Sequence, residues 1–228
     1  MTRLLAIDTA TEACSAALWQ NGEVLCRYQV APRGHTDLIL PMVSELLAEG
    51  GLGLDQLDGL AFGRGPGSFT GVRITLGIAQ GLAFGAGVPL LGISNLQALA
   101  QGAHRVTGCT RVLAAIDARM GEIYVGGFAL EDGVMLATGE EQVTPPADFL
   151  AQPGDDRWQQ GAGSGFVTYP ELADRVEQLC RPVPFPEARD MLPAALRELA
   201  AGRTVTAAEA RPVYLRDKVT WQKLPGRQ

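Results

Sequence analysis

The stretch Gly63-Arg64-Gly65-Pro66-Gly67-Ser68-Phe69-Thr70-Gly71-Val72-Arg73 joins a glycine-rich turn to the start of a helix that is apolar almost all the way round. Such a turn can hold an anion, because free backbone N–H groups and the helix dipole point at the same place. On a helical projection, residues 69–85 leave only a narrow polar seam at Arg73 and Gln80. A helix of this kind is covered on both sides. We expect the chain's own sheet to cover one side of this helix, and a different protein could cover the other side.

Composition limits what the chain can be. Its 228 residues suffice for one large domain or two smaller lobes. A net charge of −6 argues against a protein that binds nucleic acid without a partner. The four cysteines have no paired spacing, as is typical of a reduced cytoplasmic protein without a zinc or disulfide framework. Glycines and Pro89 break the apolar run 74–93, so we expect a buried helix and strand there, no membrane span and a cytoplasmic location.

The opening of the chain is repeated halfway along it. Residues 3–8 and 112–117 are short apolar runs that both end in Ala-Ile-Asp. Each is followed by a turn, a strand, a tight turn (Asn21-Gly22 or Asp132-Gly133) and a further strand. Chance could supply the tripeptide but hardly the whole order of elements, so we interpret the chain as two related halves.

The first half predicts the order β-β-β-α-β-α-β, and the second becomes short and proline-broken after Pro145-Pro146. Two such halves predict an α/β protein of the actin-like (ASKHA) class, with tandem ribonuclease H-like lobes and a reduced second lobe. We place the first lobe, with its partner-binding helices, at 1–104 and the degenerate second lobe and tail at 105–228. The predicted strands are 3–8, 15–20, 23–28, 57–62 and 88–93, and the predicted helices are 36–49 and 68–85.

Several residues could hold an anion or a nucleotide where the two halves meet. In actin-like ATPases the turns after the two strand-end aspartates cradle phosphates, but the first turn here has no glycine and adds Glu12. The other interpretations are turn-capping aspartates, an N-cap role for Ser68 and a plain loop at 161–165. Any nucleotide would bind weakly, and we expect no resident cofactor. The candidates are Asp8, Thr9, Thr11, Glu12, Gly65, Gly67, Ser68, Asp117 and Gly163.

A metal site is not expected. His35 and His104 lie far apart and have no cysteine or carboxylate at ligand spacing. The same separation argues against a Ser-His-Asp hydrolase.

The helix at 36–49 carries apolar residues over about twice the arc that one core-facing stripe of about 100° needs. Part of this surface should face outward unless helix 68–85 covers it, and large exposed apolar patches usually mark protein interfaces. Gly77, Gly81 and Gly85 would let a partner helix approach closely. The predicted partner-interface residues are His35, Leu38, Ile39, Met42, Val43, Leu46, Phe69, Arg73, Leu76 and Gln80.

Four motifs, at 7–15, 65–73, 116–119 and 212–216, are similar to those of the bacterial TsaB (YeaZ) family, and the resemblance covers essentially the whole chain. Its members are accessory subunits in making threonylcarbamoyladenosine at position 37 of tRNAs. The resemblance implies a heterodimer with the related transferase TsaD through the first-lobe helices, on which the ATPase TsaE docks. It also implies contact with tRNA only through the complex, and pairing of the chain with itself when the partner is absent.

TsaD carries a metal-binding His-x-x-x-His after the strand that follows its second helix, and the resemblance places those positions at Asn95 and Leu99. We therefore expect a non-catalytic subunit that binds and activates TsaD. Two alternatives stay open: an actin-like nucleotide hydrolase or phosphotransferase that uses Asp8 and Asp117, and a glycoprotease-like peptidase.

Overall fold

A computed structural model describes residues 2–153, 157–181 and 183–216. It contains two sheets with the strand orders β3-β2-β1-β4-β5 and β11-β10-β6-β7-β8, and β9 pairs with β7. The strands are β1 Arg3–Asp8, β2 Ala13–Gln20, β3 Glu23–Val30, β4 Gly59–Gly63, β5 Leu90–Ile93, β6 Arg111–Arg119, β7 Glu122–Glu131, β8 Val134–Ala137, β9 Gln142–Thr144, β10 Trp158–Ala162 and β11 Val176–Leu179. The helices are α1 His35–Gly50, α2 Phe69–Ala86, α3 Asn95–Thr107, α4 Pro146–Ala151, α5 Gly165–Thr168 and α6 Ala188–Ala200.

The two sheets repeat one pattern, as the sequence predicts. In the first, β1 pairs antiparallel with β2 and parallel with β4. In the second, β6 pairs antiparallel with β7 and parallel with β10. The hairpin turns at Asn21-Gly22 and Asp132-Gly133 have positive φ at every central residue, which these residue types tolerate. The tandem α/β architecture is confirmed. The second lobe is reduced: in the described part of the chain, the short helices α4 and α5 follow β9 and β10, and α6, which follows β11, packs on the first lobe.

Helix α1 turns most of its apolar surface inward. Ile39 and Leu46 have no exposed surface, and Met42 and Val43 are buried with them against the first sheet. Leu38 is half-buried and packs on the same cluster. The prediction that these side chains contact a partner is therefore wrong for the four buried ones, because the sheet and the neighbouring α2 fill the wide apolar arc.

Ser68 caps the start of helix α2, because its Oγ accepts a hydrogen bond from the Gly71 amide. One side of it packs on the first sheet. The adjoining side is covered by the chain's own C-terminal segment, because Gln80 Nε2 donates to the Ala207 carbonyl at 2.8 Å and Leu76 is half-buried on the first-lobe core. The second cover predicted for α2 is thus partly intramolecular. Gln80 is half-buried and makes this internal hydrogen bond, and a partner contact at this residue stays a prediction.

The lobes do not divide at residue 104. Helix α3 continues through that position to Thr107, and α6 returns to the first lobe, where its apolar face shares a core with β1 and β5. The predicted second lobe 105–228 therefore includes a helix that belongs to the first sheet. Residues 217–228 of that predicted lobe lie outside the described residues. An amphipathic helix packs on whichever apolar sheet face is open, whatever its place in the sequence.

Across residues 2–153, 157–181 and 183–216, no helix combines the length and the apolar character that a membrane span requires.

Candidate functional site

Asp8 lies at the end of β1 and has no exposed surface. Its Oδ1 accepts a hydrogen bond from Asn95 Nδ2 at 2.8 Å, and its Oδ2 has no partner among the described residues. Burial raises the pKa of this carboxyl to about 7, although the bonds from Asn95 and from nearby backbone act in the opposite direction. Near neutral pH, Asp8 is therefore divided between its charged and uncharged forms.

Asn95 joins this aspartate to the glycine-rich turn. It begins α3 and is completely buried, and its Oδ1 accepts the Gly65 amide at 2.9 Å. Both ends of its side chain are thus engaged inside the protein. Leu99, one turn further along α3, is buried in the second-lobe core. These are the positions at which the TsaD resemblance places metal-binding histidines, and here they hold an amide that crosslinks two loops and an aliphatic core residue.

The glycine-rich turn packs on the turn that follows β1. The Ser68 amide donates to the Ala10 carbonyl at 2.7 Å, and a Cβ atom at Gly67 would lie 2.5 Å from that same oxygen. A Cβ at Gly71 would collide with the Thr9 carbonyl. Glycine is needed here for close approach of two backbones. The amides of Gly65, Ser68 and Gly71 already donate internally, so they are not free for an anion as predicted.

In the second lobe, too, a glycine lets two backbone segments approach closely. Gly163 has a φ of +109°, and a Cβ atom there would collide with the carbonyl of Ala115 on β6. Gly165, at the start of α5, has equally little room against Ala115. This glycine-rich loop, predicted as a nucleotide contact, is explained by its packing on the strand.

A cleft of about 190 Å³ lies between the lobes. Arg119 closes one side of it, because its guanidinium reaches Glu12 across the lobes at 2.7 Å and Asp117 at 2.9 Å. The two carboxylates thus share one cation. The structure brings five predicted residues to this cleft and leaves the others, Asp8, Thr9, Gly65 and Gly163, outside its lining. Its lining includes Thr11, Glu12, Gly67, Ser68 and Asp117, together with Arg33, His35 and Arg119.

Arg119 was not among the predicted site residues. Its signal lay in the 116–119 motif, but a single sequence does not show which carboxylate a flexible side chain will pair with. His35, predicted as a partner contact of the first-lobe helices, lines the cleft at the start of α1.

The described residues leave the outer surface of α2 uncovered. Phe84 is 83% exposed, and a Cβ atom added at Gly77, Gly81 or Gly85 meets no described residue within 4 Å. The helix backbone is therefore directly accessible along three turns. On this face Phe84 is an exposed large apolar side chain, the isoleucines at 74 and 78 are half-buried, and three glycines leave the backbone bare. Large exposed apolar surfaces mark interaction sites. We call this face the α2 strip; it consists of Arg73, Ile74, Gly77, Ile78, Gly81, Phe84 and Gly85.

One end of the strip carries an aromatic cluster. The Arg73 guanidinium lies 3.4 Å from the centre of the Phe69 ring, and its Nε donates to the Tyr214 hydroxyl at 3.0 Å. The rings of Phe69 and Tyr214 are 5.6 Å apart, and both residues are substantially exposed. Phe69 and Arg73 were predicted as interface residues, whereas Tyr214 was not.

Within the described part of the chain, no group of three or more His, Cys, Asp or Glu side chains has an arrangement that could hold a metal ion.

Comparison with known proteins decides the family. A family model described as TsaD, tRNA N6-adenosine threonylcarbamoyltransferase, matches residues 28–185. The tRNA threonylcarbamoyladenosine biosynthesis protein TsaB of Escherichia coli is 48% identical over 99% of this chain and 100% of its own length. The chain belongs to the TsaB (YeaZ) family. The TsaB of Haemophilus influenzae is 46% identical over 99% of this chain and 98% of its length.

Solved structures agree with this assignment. The structure described as YeaZ from Pseudomonas aeruginosa is 47% identical, covers 94% of this chain and all of its own, and gives a TM-score of 0.86. A second structure from the same organism, described as an uncharacterized protein with similarity to peptidase YeaZ, also gives 0.86 and 47% identity, with 95% of this chain and all of its own covered. The resemblance drawn from the four TsaB motifs is confirmed.

Proposed function

We propose that this chain is a non-catalytic subunit of tRNA threonylcarbamoyladenosine biosynthesis, which binds and activates the TsaD transferase. The α2 strip carries this proposal. It is an exposed apolar helix face with accessible backbone, and its shape suits a partner helix packed at close range. The pathway is the one named for the E. coli and H. influenzae relatives.

We infer that the chain is non-catalytic from the two residues that stand where TsaD has its metal-binding histidines. Asn95 is held by Asp8 and Gly65, and Leu99 offers no donor atom. The turn that would face a phosphate in an actin-like enzyme is packed on the glycine-rich turn instead. We therefore do not favour the nucleotide hydrolase. The peptidase is not favoured either, since among the described residues His104 Nδ1 is bonded to the Cys109 carbonyl and His35 Nε2 has no hydrogen-bond partner, so neither ring is paired there with a nucleophile.

The remaining parts of the assembly follow from the same role. In our proposal TsaE docks on the heterodimer, tRNA is contacted only through the complex, and the chain works in the cytoplasm without a cofactor of its own. When TsaD is absent, the α2 strip is open for a second copy of the chain. Any nucleotide in the cleft would bind weakly, since Glu12 and Asp117 already neutralise Arg119.

Reconstitution tests the role. Threonylcarbamoyl transfer to tRNA is measured with purified TsaD, TsaE, the synthase and substrates, with and without this chain. We expect omission to abolish multiple-turnover modification, while this chain alone modifies nothing. Full turnover without the chain would overturn the proposal, and calorimetry with ATP and magnesium would then decide whether the cleft acts on nucleotides.

A second experiment tests the surface. Gly81→Gln adds a side chain where the isolated protein has open space, and it replaces a poor helix former by a better one. The fold is therefore retained, but a partner helix can no longer approach closely. We expect affinity for TsaD to fall at least about 100-fold, as for loss of a central contact worth about 3 kcal/mol.

The matched control is Ala200→Gln, which adds the same side chain at an exposed position on α6. It should leave affinity unchanged. Unaltered binding by Gly81→Gln would place the interface elsewhere. Met42→Asp is unsuitable for this purpose, because Met42 is buried and the variant would lose stability before it reported on binding.

A further inference from the structure

The C-terminal segment 204–216 runs from α6 along α2 and ends on the second lobe. We call it the clasp. Its first contacts are with the first lobe: Val205 and Leu90 exchange backbone hydrogen bonds at 2.8 and 3.0 Å, and the Val213 amide donates to the Arg64 carbonyl at 2.7 Å. The Tyr214 hydroxyl then accepts from Arg73, a residue of the α2 strip.

The last contacts of the clasp are with the second lobe. Arg216 forms an ion pair with Glu122, and its Nη2 donates to the carbonyls of Ala118 and Arg119 at 3.2 and 3.3 Å. Its side chain is only 18% exposed. Arg216 thus satisfies two backbone acceptors at the end of β6, where the turn to β7 begins, and fixes this end of the strand to the clasp.

The turn that Arg216 holds is the turn that closes the cleft. Residues 119–121 all have positive φ, which costs energy in Arg119 and Met120 and requires surrounding contacts to maintain it. From this turn the Arg119 side chain crosses the lobes to Glu12. The hydrogen bond from Arg73 to Tyr214, the two peptide links from Tyr214 to Arg216 and the bond from Arg216 to the Arg119 carbonyl therefore connect the α2 strip to Arg119. We call the Arg119 side chain, with its ion pairs to Glu12 and Asp117, the Arg119 gate.

We propose that the clasp couples the α2 strip to the cleft between the lobes, so that a partner seated on the strip tightens the Arg119 gate. A partner would exclude water from the exposed Arg73 to Tyr214 hydrogen bond, and hydrogen bonds strengthen when water is removed. Tyr214 then holds the following residues more firmly, and Arg216 holds the turn. The identity of the partner rests on the proposed function, but the coupling is a property of this chain alone.

Hydrogen exchange in the isolated, full-length protein tests the coupling, followed at the backbone amides of residues 117–124. Arg216→Gln removes the charge and should speed exchange of these amides on the order of tenfold, the expected result of losing a charge-assisted hydrogen bond. Tyr214→Phe removes only the hydroxyl that accepts the hydrogen bond from Arg73 of the first lobe. It should speed exchange of the same amides by a smaller factor. Arg203→Ala removes a side chain whose ion pair within the described residues is with Glu198; it is the control and should leave these amides unchanged.

The double variant gives the decisive result. If Tyr214 acts through Arg216, then Tyr214→Phe with Arg216→Gln exchanges no faster than Arg216→Gln alone. Parent-level exchange of residues 117–124 in Tyr214→Phe, or additive effects in the double variant, would overturn the clasp. Since no partner protein is present, either outcome leaves the proposed function to be judged by the reconstitution.

Discussion

Asp8, at the end of β1, and Asp117, two residues before the end of β6, complete the same tripeptide on equivalent strands, yet they lie in different environments. Asp8 is fully buried, bonded to Asn95, and has its pKa raised to about 7. Asp117 lies at the cleft and forms an ion pair with the exposed Arg119. The strands are alike, but α3 and the glycine-rich turn cover the end of the first strand, whereas the second ends at the cleft. What covers a strand end decides what its aspartate can do.

The largest effect is expected where backbone meets backbone in the first lobe. Gly71→Ala places a Cβ atom against the Thr9 carbonyl and the Ala10 Cα, which cannot move without disturbing β1. We expect the free energy of unfolding to fall by about 3 kcal/mol, measured by urea denaturation.

The control is Gly77→Ala, two turns along the same helix, where a Cβ meets open space. It should raise stability by about 0.8 kcal/mol, the usual gain when alanine replaces glycine within a helix. Equal effects of the two substitutions would show that helix propensity, and not the contact with Thr9, explains Gly71.

The buried charge should give the next largest effect. The native pKa of Asp8, about 7, lies above the ordinary value of 3.8 for an aspartate in an unfolded chain, so between these values the native state binds a proton that the unfolded state lacks. The free energy of unfolding therefore falls as pH rises from about 4 through 7. Asp8→Asn should remove this slope and be more stable than the parent at pH 8 by about 2 kcal/mol.

Asp117→Asn serves as the comparison for that experiment. It should give no gain at pH 8, because Asp117 is paired with Arg119 in the native state. Denaturation curves at pH 5, 6.5 and 8 measure both variants. A parent protein whose stability does not change over this range would contradict the assignment of a shifted Asp8.

The smallest effect concerns the gate. Arg119→Ala removes both ion pairs of a side chain that is 71% exposed, and exposed pairs contribute little. We expect a loss of about 0.5 kcal/mol in thermal or urea unfolding. A loss similar to that of Gly71→Ala would mean that the gate holds the lobes together and does more than close the cleft.

The sequence predicted the fold well because its signals are local. The Ala-Ile-Asp repeats, the Asn21-Gly22 and Asp132-Gly133 turns and the Ser68 cap act within a few residues, and each formed as expected. The family followed from motifs that are equally local. The predicted boundary between lobes failed, because α6 returns across the chain to the first sheet.

The predicted sites were less accurate for a physical reason. Periodicity shows that α1 and α2 are apolar on most sides, but it does not show what covers each side. Only the tertiary structure places Ile39 and Leu46 in the core, Gln80 under the clasp, and Gly77 and Phe84 in the open. Likewise the residue types at positions 95 and 99 were readable from the sequence, whereas the bonds that join Asn95 to Asp8 and Gly65 depend on segments that lie far apart in the chain. The sequence by itself determines residue types, turns and helix caps, because these depend on neighbours in the chain. Which side chains are buried depends on how distant segments pack together.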